Sequence, residues 1–187
     1  MNGQKNEESS HHIVVVPDGL TALNGQALPE PSFVYRAVLD AAARRPPQDI
    51  ILLAPANSFG GAVTEEEAAE RYLRIKGRSG PILRPPPVKD GYVDTRGNAR
   101  HLREWLQSQQ SWPLARTRLL VAERHARRAL LCFRREGFTF QAVESIGYVV
   151  PNGEMVVPRL WYYRWPLLHR LYEFLAYVRD WLRPASF

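Results

Sequence analysis

The chain has 187 residues, 45% of them hydrophobic and 24% charged, with a formal net charge of +6. That length suits one domain with a real core, burying roughly 70% of its unfolded surface, and the composition excludes a disordered or fibrous chain. The positive charge does not point to nucleic acid: Lys5, Lys76 and Lys89 are the only lysines, and the arginines are spread along the chain without the interleaved aromatics of a nucleic-acid groove. A single cysteine, Cys132, excludes an internal disulfide framework, suits a reducing compartment and reads as a packing residue.

The opening "MNGQKNEESSHH" is polar and lacks the apolar core of a signal peptide, so residues 1–12 read as a flexible tail and the location as cytoplasmic. "IVVV" after it is far too short to span a bilayer. Short apolar runs then alternate with helical patterns. Strands are predicted at Ile13–Val16, Ile50–Ala54, Arg118–Ala122 and Phe140–Val143, with a weaker one near Ile82. Helices are predicted near 32–45, 64–76, 95–110 and 125–136. Runs apolar on both faces, separated by helices, predict a single doubly wound α/β domain with a mostly parallel sheet of about five strands.

Local signals mark the helix ends. Thr64 and Glu67 have capping-box spacing, and Gly77 supplies a stop after Lys76. Asp94 or Thr95 can cap the third helix, whose Ala99, Leu102 and Leu106 share a face. Ala126, Ala129, Leu130 and Phe133 form the inward stripe of the fourth, which Gly137 ends. The prolines of "RPPPVKDGY" (84–92) exclude a central strand and predict a stiff loop.

Near the C-terminus, "WYYRWPLLHRLYEFLAYVRDWL" is an aromatic amphipathic helix whose charges exclude a transmembrane segment. Leu167, Leu171, Tyr172, Leu175, Val178 and Leu182 form its apolar stripe, and Arg170, Glu173, Arg179 and Asp180 occupy other positions. The expectation is a closing helix packed on the sheet through that stripe. The alternative is contact with a membrane surface or a partner, for which Trp161, Trp165 and Trp181 are suited.

Open α/β sheets bind ligands beyond the carboxyl ends of their strands, where the strand order reverses. With the common order 3-2-1-4-5, the loops after the first and fourth strands are neighbours, so Asp18 and His125 face one crevice. Asn57, Glu65 and Asn98 are expected to join them. Gly60 and Gly61 resemble a phosphate cradle, but Glu65, Glu66 and Glu67 follow at the helix start and would repel an anion. A histidine at a helix N-terminus is kept available as a base or neutral donor. Arg128, one turn on, carries a fork suited to phosphate or carboxylate. Asp18, Glu65 and His125 offer oxygen and nitrogen ligands for a metal, but the fixed charge of Arg128 beside His125 argues against a cation, so metal-free ligand binding is expected.

"TEEEAAERYL" (64–73), "DTRGNA" (94–99) and "LLVAERHARRALLCFRREGF" (119–138) resemble three ordered signatures of the YdcF, SanA and ElyC family, also called domain of unknown function 218. The family pattern runs Ser-Glu-Ala before a helix, then Thr-x-x-Asn-Ala, then a strand ending in His-x-x-Arg and a helix closed by Gly-Phe. "LYEFLAYVRDWL" is similar to its closing helix, and the resemblance spans most of residues 13–182. It implies catalytic roles for His125 and Glu65, and ligand contacts from Thr95, Asn98, Arg128 and Asp18. It further implies a small polar or phosphorylated ligand, an envelope or polysaccharide setting, and S-adenosylmethionine as one candidate cofactor. The chain departs from the family at "VVVPDGL", where relatives have a glycine-rich turn, and at "PANSFGG", where they often have Ser-Gly-Gly. It also lacks the membrane segment that many relatives carry.

Overall fold

Five strands make one parallel sheet: β1 (His12–Val15), β2 (Ile50–Leu53), β3 (Ile82–Leu83), β4 (Thr117–Ala122) and β5 (Ala142–Ile146), in the order β3-β2-β1-β4-β5. The structure, a computed structural model, describes residues 10–21, 28–88, 91–151, 153 and 156–183. Residues 1–9 of the polar start, and Lys89 and Asp90 of the proline-rich loop, lie outside the described residues.

Parallel neighbours cannot be joined by tight turns, so helices carry the crossovers. They are α1 (Phe33–Ala43), α2 (Glu65–Ile75), α3 (Thr95–Ser108) and α4 (Ala126–Arg135), followed by α5 (Pro166–Leu182). Strand side chains alternate between the two faces. Ile13, Val15, Ile51, Leu53 and Leu120 pack with Val34, Val38, Leu39 and Leu73 from α1 and α2. Val14, Leu52, Leu119 and Val121 pack with Leu102, Leu106, Ala129 and Phe133 from α3 and α4. The chain therefore changes face between β3 and β4, and the switch point lies between the central strands β1 and β4.

The predicted end signals all act. Thr64 and Glu67 form a complete capping box, Asp94 caps α3 by accepting from Gly97 N–H at 2.9 Å, and Gly77 and Gly137 adopt left-handed backbone after α2 and α4. Three expectations are corrected. The tail does not extend through residue 12: His12 opens β1, and His11 N–H donates to Asp49 Oδ1 at 3.0 Å, because the ladder to β2 begins there. The fifth strand runs Ala142–Ile146 rather than Phe140–Val143, and it is not apolar on both faces. As an edge strand it alternates, while Phe140 joins the aromatic cluster of Phe133 and Phe138.

The third correction concerns α5. It packs on α4 with Glu173, Ala176 and Asp180 buried, and the leucines of the predicted inward stripe face outward, Leu167 78% exposed and Leu182 68%, while Tyr172 of that stripe turns toward the switch-point loops. The reason lies in the partner surface. The side of α4 that α5 meets presents Arg128, Cys132 and Arg135, which bond to Glu173, Asp180 and the last carbonyls of α5. A polar surface selects a polar stripe.

Candidate functional site

The loop after β1 turns sharply at Gly19, whose φ of +93° lies in the left-handed region where glycine carries no steric cost. Ser32 fixes the turn from α1, its hydroxyl donating to Asp18 O at 2.6 Å. Glu65, in the first turn of α2, ties this loop to the next: one carboxylate oxygen accepts from Gly19 N–H, and the other accepts from Asn57 N–H at 3.0 Å. Asn57 ties in the third loop, its amide donating to Val93 O at 2.9 Å and accepting from Val93 N–H at 2.8 Å. Both residues stand where the sequence predicts. Their polar atoms are occupied in holding three loops together, so they shape the site and do not present free groups to it.

The fourth loop contributes His125, the last residue of a 3-10 turn (Glu123–His125) that leads into α4. Its Nδ1 faces Asp18 Oδ2 at 3.5 Å. Its Nε2 lies 3.1 Å from Thr95 Oγ1 and 3.3 Å from Arg128 Nη2. Arginine only donates, so in neutral His125 the Nε2 lone pair accepts and the proton sits on Nδ1, toward Asp18. That is the arrangement of a carboxylate-oriented base, with a hydroxyl at its reactive nitrogen. Asn98, one turn after Thr95 on α3, is buried with Oδ1 unpartnered among the described residues.

Asp18, Asn57, Glu65, Thr95, Asn98, His125 and Arg128 thus line one cavity of about 40 Å³ beyond the carboxyl ends of β1 and β4. The sequence missed its roof. Leu160, Tyr162 and Tyr163, from a 3-10 segment spanning Pro158–Arg164, and Tyr172 of α5 close it. Tyr163 donates to Asp18 Oδ1, and Glu173 takes Arg128 in a two-point pair, Nε to Oε2 at 2.8 Å and Nη2 to Oε1 at 3.1 Å. Arg128, expected to clamp a ligand anion, therefore clamps a carboxylate of its own chain. One sequence signal could have found this: His169, Glu173, Ala176 and Asp180 recur at helical spacing, a second stripe hidden beneath the apolar one.

Beside this cavity lies a cleft of about 750 Å³ that shares Asn57, Phe59 and Tyr92 with it and is floored by Gly60 and Gly61. Arg159 stacks over Tyr92 at its rim, 3.7 Å from the ring centre. This volume accommodates a nucleotide-sized molecule, whereas the inner cavity admits little more than a water.

The buried charges perturb each other. Burial works to raise Asp18, but the hydrogen bond and charge of His125, with His169 and Tyr163, hold its carboxyl below the usual range. Burial pushes Glu65 up to about 7 against the two backbone donors, with Glu66 and Asp18 adding to the rise. Burial also lowers His169 to about 4, although the charge of Asp18 opposes the fall. For Arg128 burial disfavours the charge, and Glu173 more than restores it. Glu65 and Asp18 are thus two carboxyls pushed in opposite directions within one site. As for a metal, both Glu65 oxygens are engaged by backbone N–H groups, and among the described residues no group of three or more histidine, cysteine or acidic side chains is arranged to hold an ion.

Compared with family models, with curated proteins and with solved structures, the chain shows no match to any of them.

Proposed function

We propose that the switch-point site binds a small polar or phosphorylated ligand and acts on it by proton transfer, with His125 Nε2 as the base and Asp18 as its orienting carboxylate. The observation that carries this reading is the convergence on one cavity of the buried His125–Asp18 pair, the Thr95 hydroxyl at His125 Nε2, and Asn98 Oδ1, which has no hydrogen-bond partner among the described residues. An orphaned buried acceptor such as Asn98 Oδ1 costs about 1–3 kcal/mol, and a ligand that donates to it recovers that cost. Thr95 and Asn98 orient the ligand's hydroxyls, while Glu65 and Asn57 hold the loops that frame it. The outer cleft takes the bulk of the molecule, and Arg128 serves an anionic group when Glu173 withdraws.

The resemblance to the YdcF, SanA and ElyC family supports a cytoplasmic role in cell-envelope or polysaccharide biogenesis. Its candidate ligands are S-adenosylmethionine, a sugar nucleotide and a glycan-carrier lipid phosphate. Thermal-shift titration of each against wild type and His125→Ala tests the reading. At least one is expected to raise the melting temperature of wild type more than that of the variant. Equal shifts for both proteins with all of them would remove the site from the proposal.

A further inference from the structure

The outward side of α5 concentrates exposed large hydrophobic side chains among the described residues. Leu167, Leu171, Phe174, Leu175 and Leu182 point away from the domain, and Phe174 is 62% exposed. Trp161 and Trp165 stand exposed at the start of the helix and Trp181 at its end. Monomeric proteins leave an apolar face of this extent where something docks.

Charge decides what docks. Between residues 158 and 183 the exposed charged side chains are all arginines: Arg159, Arg164, Arg170, Arg179 and Arg183. The two carboxylates in that span, Glu173 and Asp180, are buried against α4. At 3.6 residues per turn, Arg170 lies along one margin of the apolar face; Arg179 lies along the other, where it and Arg183 pair with Asp94 and Asp180. A second copy of the chain docking through this face would set arginines against arginines, with no exposed acid in the span to answer them. An anionic bilayer has the opposite charge. Its headgroup region also accepts tryptophan rings at both ends of a helix and arginines at the margins.

We propose that the outward face of α5, with the exposed tryptophans at its two ends, docks in plane on an anionic lipid surface. Arg170, Glu173, Arg179 and Asp180 bar α5 from the hydrocarbon core, and no described helix is long and apolar enough to cross a membrane. The contact is therefore peripheral, and it does not depend on the ligand pocket.

Flotation of the full chain with phosphatidylcholine vesicles, and with vesicles of equal parts phosphatidylcholine and phosphatidylglycerol, tests it. The chain floats with the anionic vesicles, its tryptophan emission shifts to the blue, and raised salt weakens both signals. Leu171→Ser with Leu175→Ser lowers partitioning at least about tenfold. Arg170→Gln lowers it about fivefold on anionic vesicles only. Both variants keep the wild-type melting temperature, since all three side chains are exposed. Wild type that stays unbound to anionic vesicles, or variants that bind as wild type does, would overturn the proposal. So would a dimer in sedimentation equilibrium that the double serine variant dissolves, or a protein partner that occupies this face when vesicles do not.

Discussion

Glu173 on α5 meets Arg128 on α4 at two points, an Nη2–Oε1 hydrogen bond of 3.1 Å and an Nε–Oε2 ion contact of 2.8 Å, both partners buried. The pair joins the closing helix to the helix that carries His125. Removing one member of a buried pair leaves an uncompensated charge, which costs about 3–5 kcal/mol. Glu173→Ala is therefore expected to lower stability by that amount in chemical denaturation. It also frees the guanidinium fork for another anion, so inorganic phosphate should raise the melting temperature of the variant well above its effect on wild type. Equal phosphate effects on the two proteins would mean that Arg128 is only a structural partner.

Glu65 and His169 give opposite pH dependences to stability. Burial raises Glu65 from 4.5 to about 7, so the stability it contributes is complete below pH 4.5 and is lost as pH rises through 7. Burial lowers His169 from 6.5 to about 4, so its contribution is complete above pH 6.5 and is lost as pH falls through 4. Each is worth about 3 kcal/mol at the scale of 1.36 kcal/mol per pH unit. Denaturation across pH, taken as variant minus wild type, separates them. The difference for Glu65→Gln should climb with pH between about 4.5 and 7, and that for His169→Asn should fall between about 4 and 6.5.

Gly19 supports the roof of the site. A Cβ there would meet Leu160 Cδ1 at 2.3 Å, and the backbone φ is +93°. The leucine tip can swing aside, so the larger cost of Gly19→Ala is the left-handed backbone, about 1–2 kcal/mol. Displacing Leu160 also loosens the 158–164 segment. Limited proteolysis should cut there sooner in the variant than in wild type, and unchanged cutting would show that Gly19 does not support the roof.

Cys132 is buried against α5, and burial, with the charge of Asp180 adding, pushes its thiol up to about 12. The thiolate is the reactive form. A chromogenic aromatic disulfide should thus label the native protein more than about a hundredfold more slowly than the denatured chain at neutral pH. Fast native labelling would mean that α5 opens readily from α4.

The sheet and its loops are legible in local sequence patterns. Buried strands such as Ile13–Val15 and Leu119–Val121, separated by capped helices, admit few arrangements, and handedness and crossover rules select among them. Thr64, Asp94, Gly77 and Gly137 act locally, so their effects are legible without knowing the partner surface. The meeting of Asp18 with His125 followed from topology, because the loops after β1 and β4 are neighbours at the switch point.

The orientation of α5 and, with it, the state of the site depend on long-range packing. An amphipathic helix has two stripes, and which one is buried depends on the surface it meets. Here that surface is Arg128, Cys132 and Arg135 of α4, so Glu173 and Asp180 turn inward and the leucines turn out. The same choice carries Tyr163 to Asp18 and Glu173 to Arg128. Those contacts link residues 145 and 45 positions apart, through side chains whose burial no local periodicity encodes.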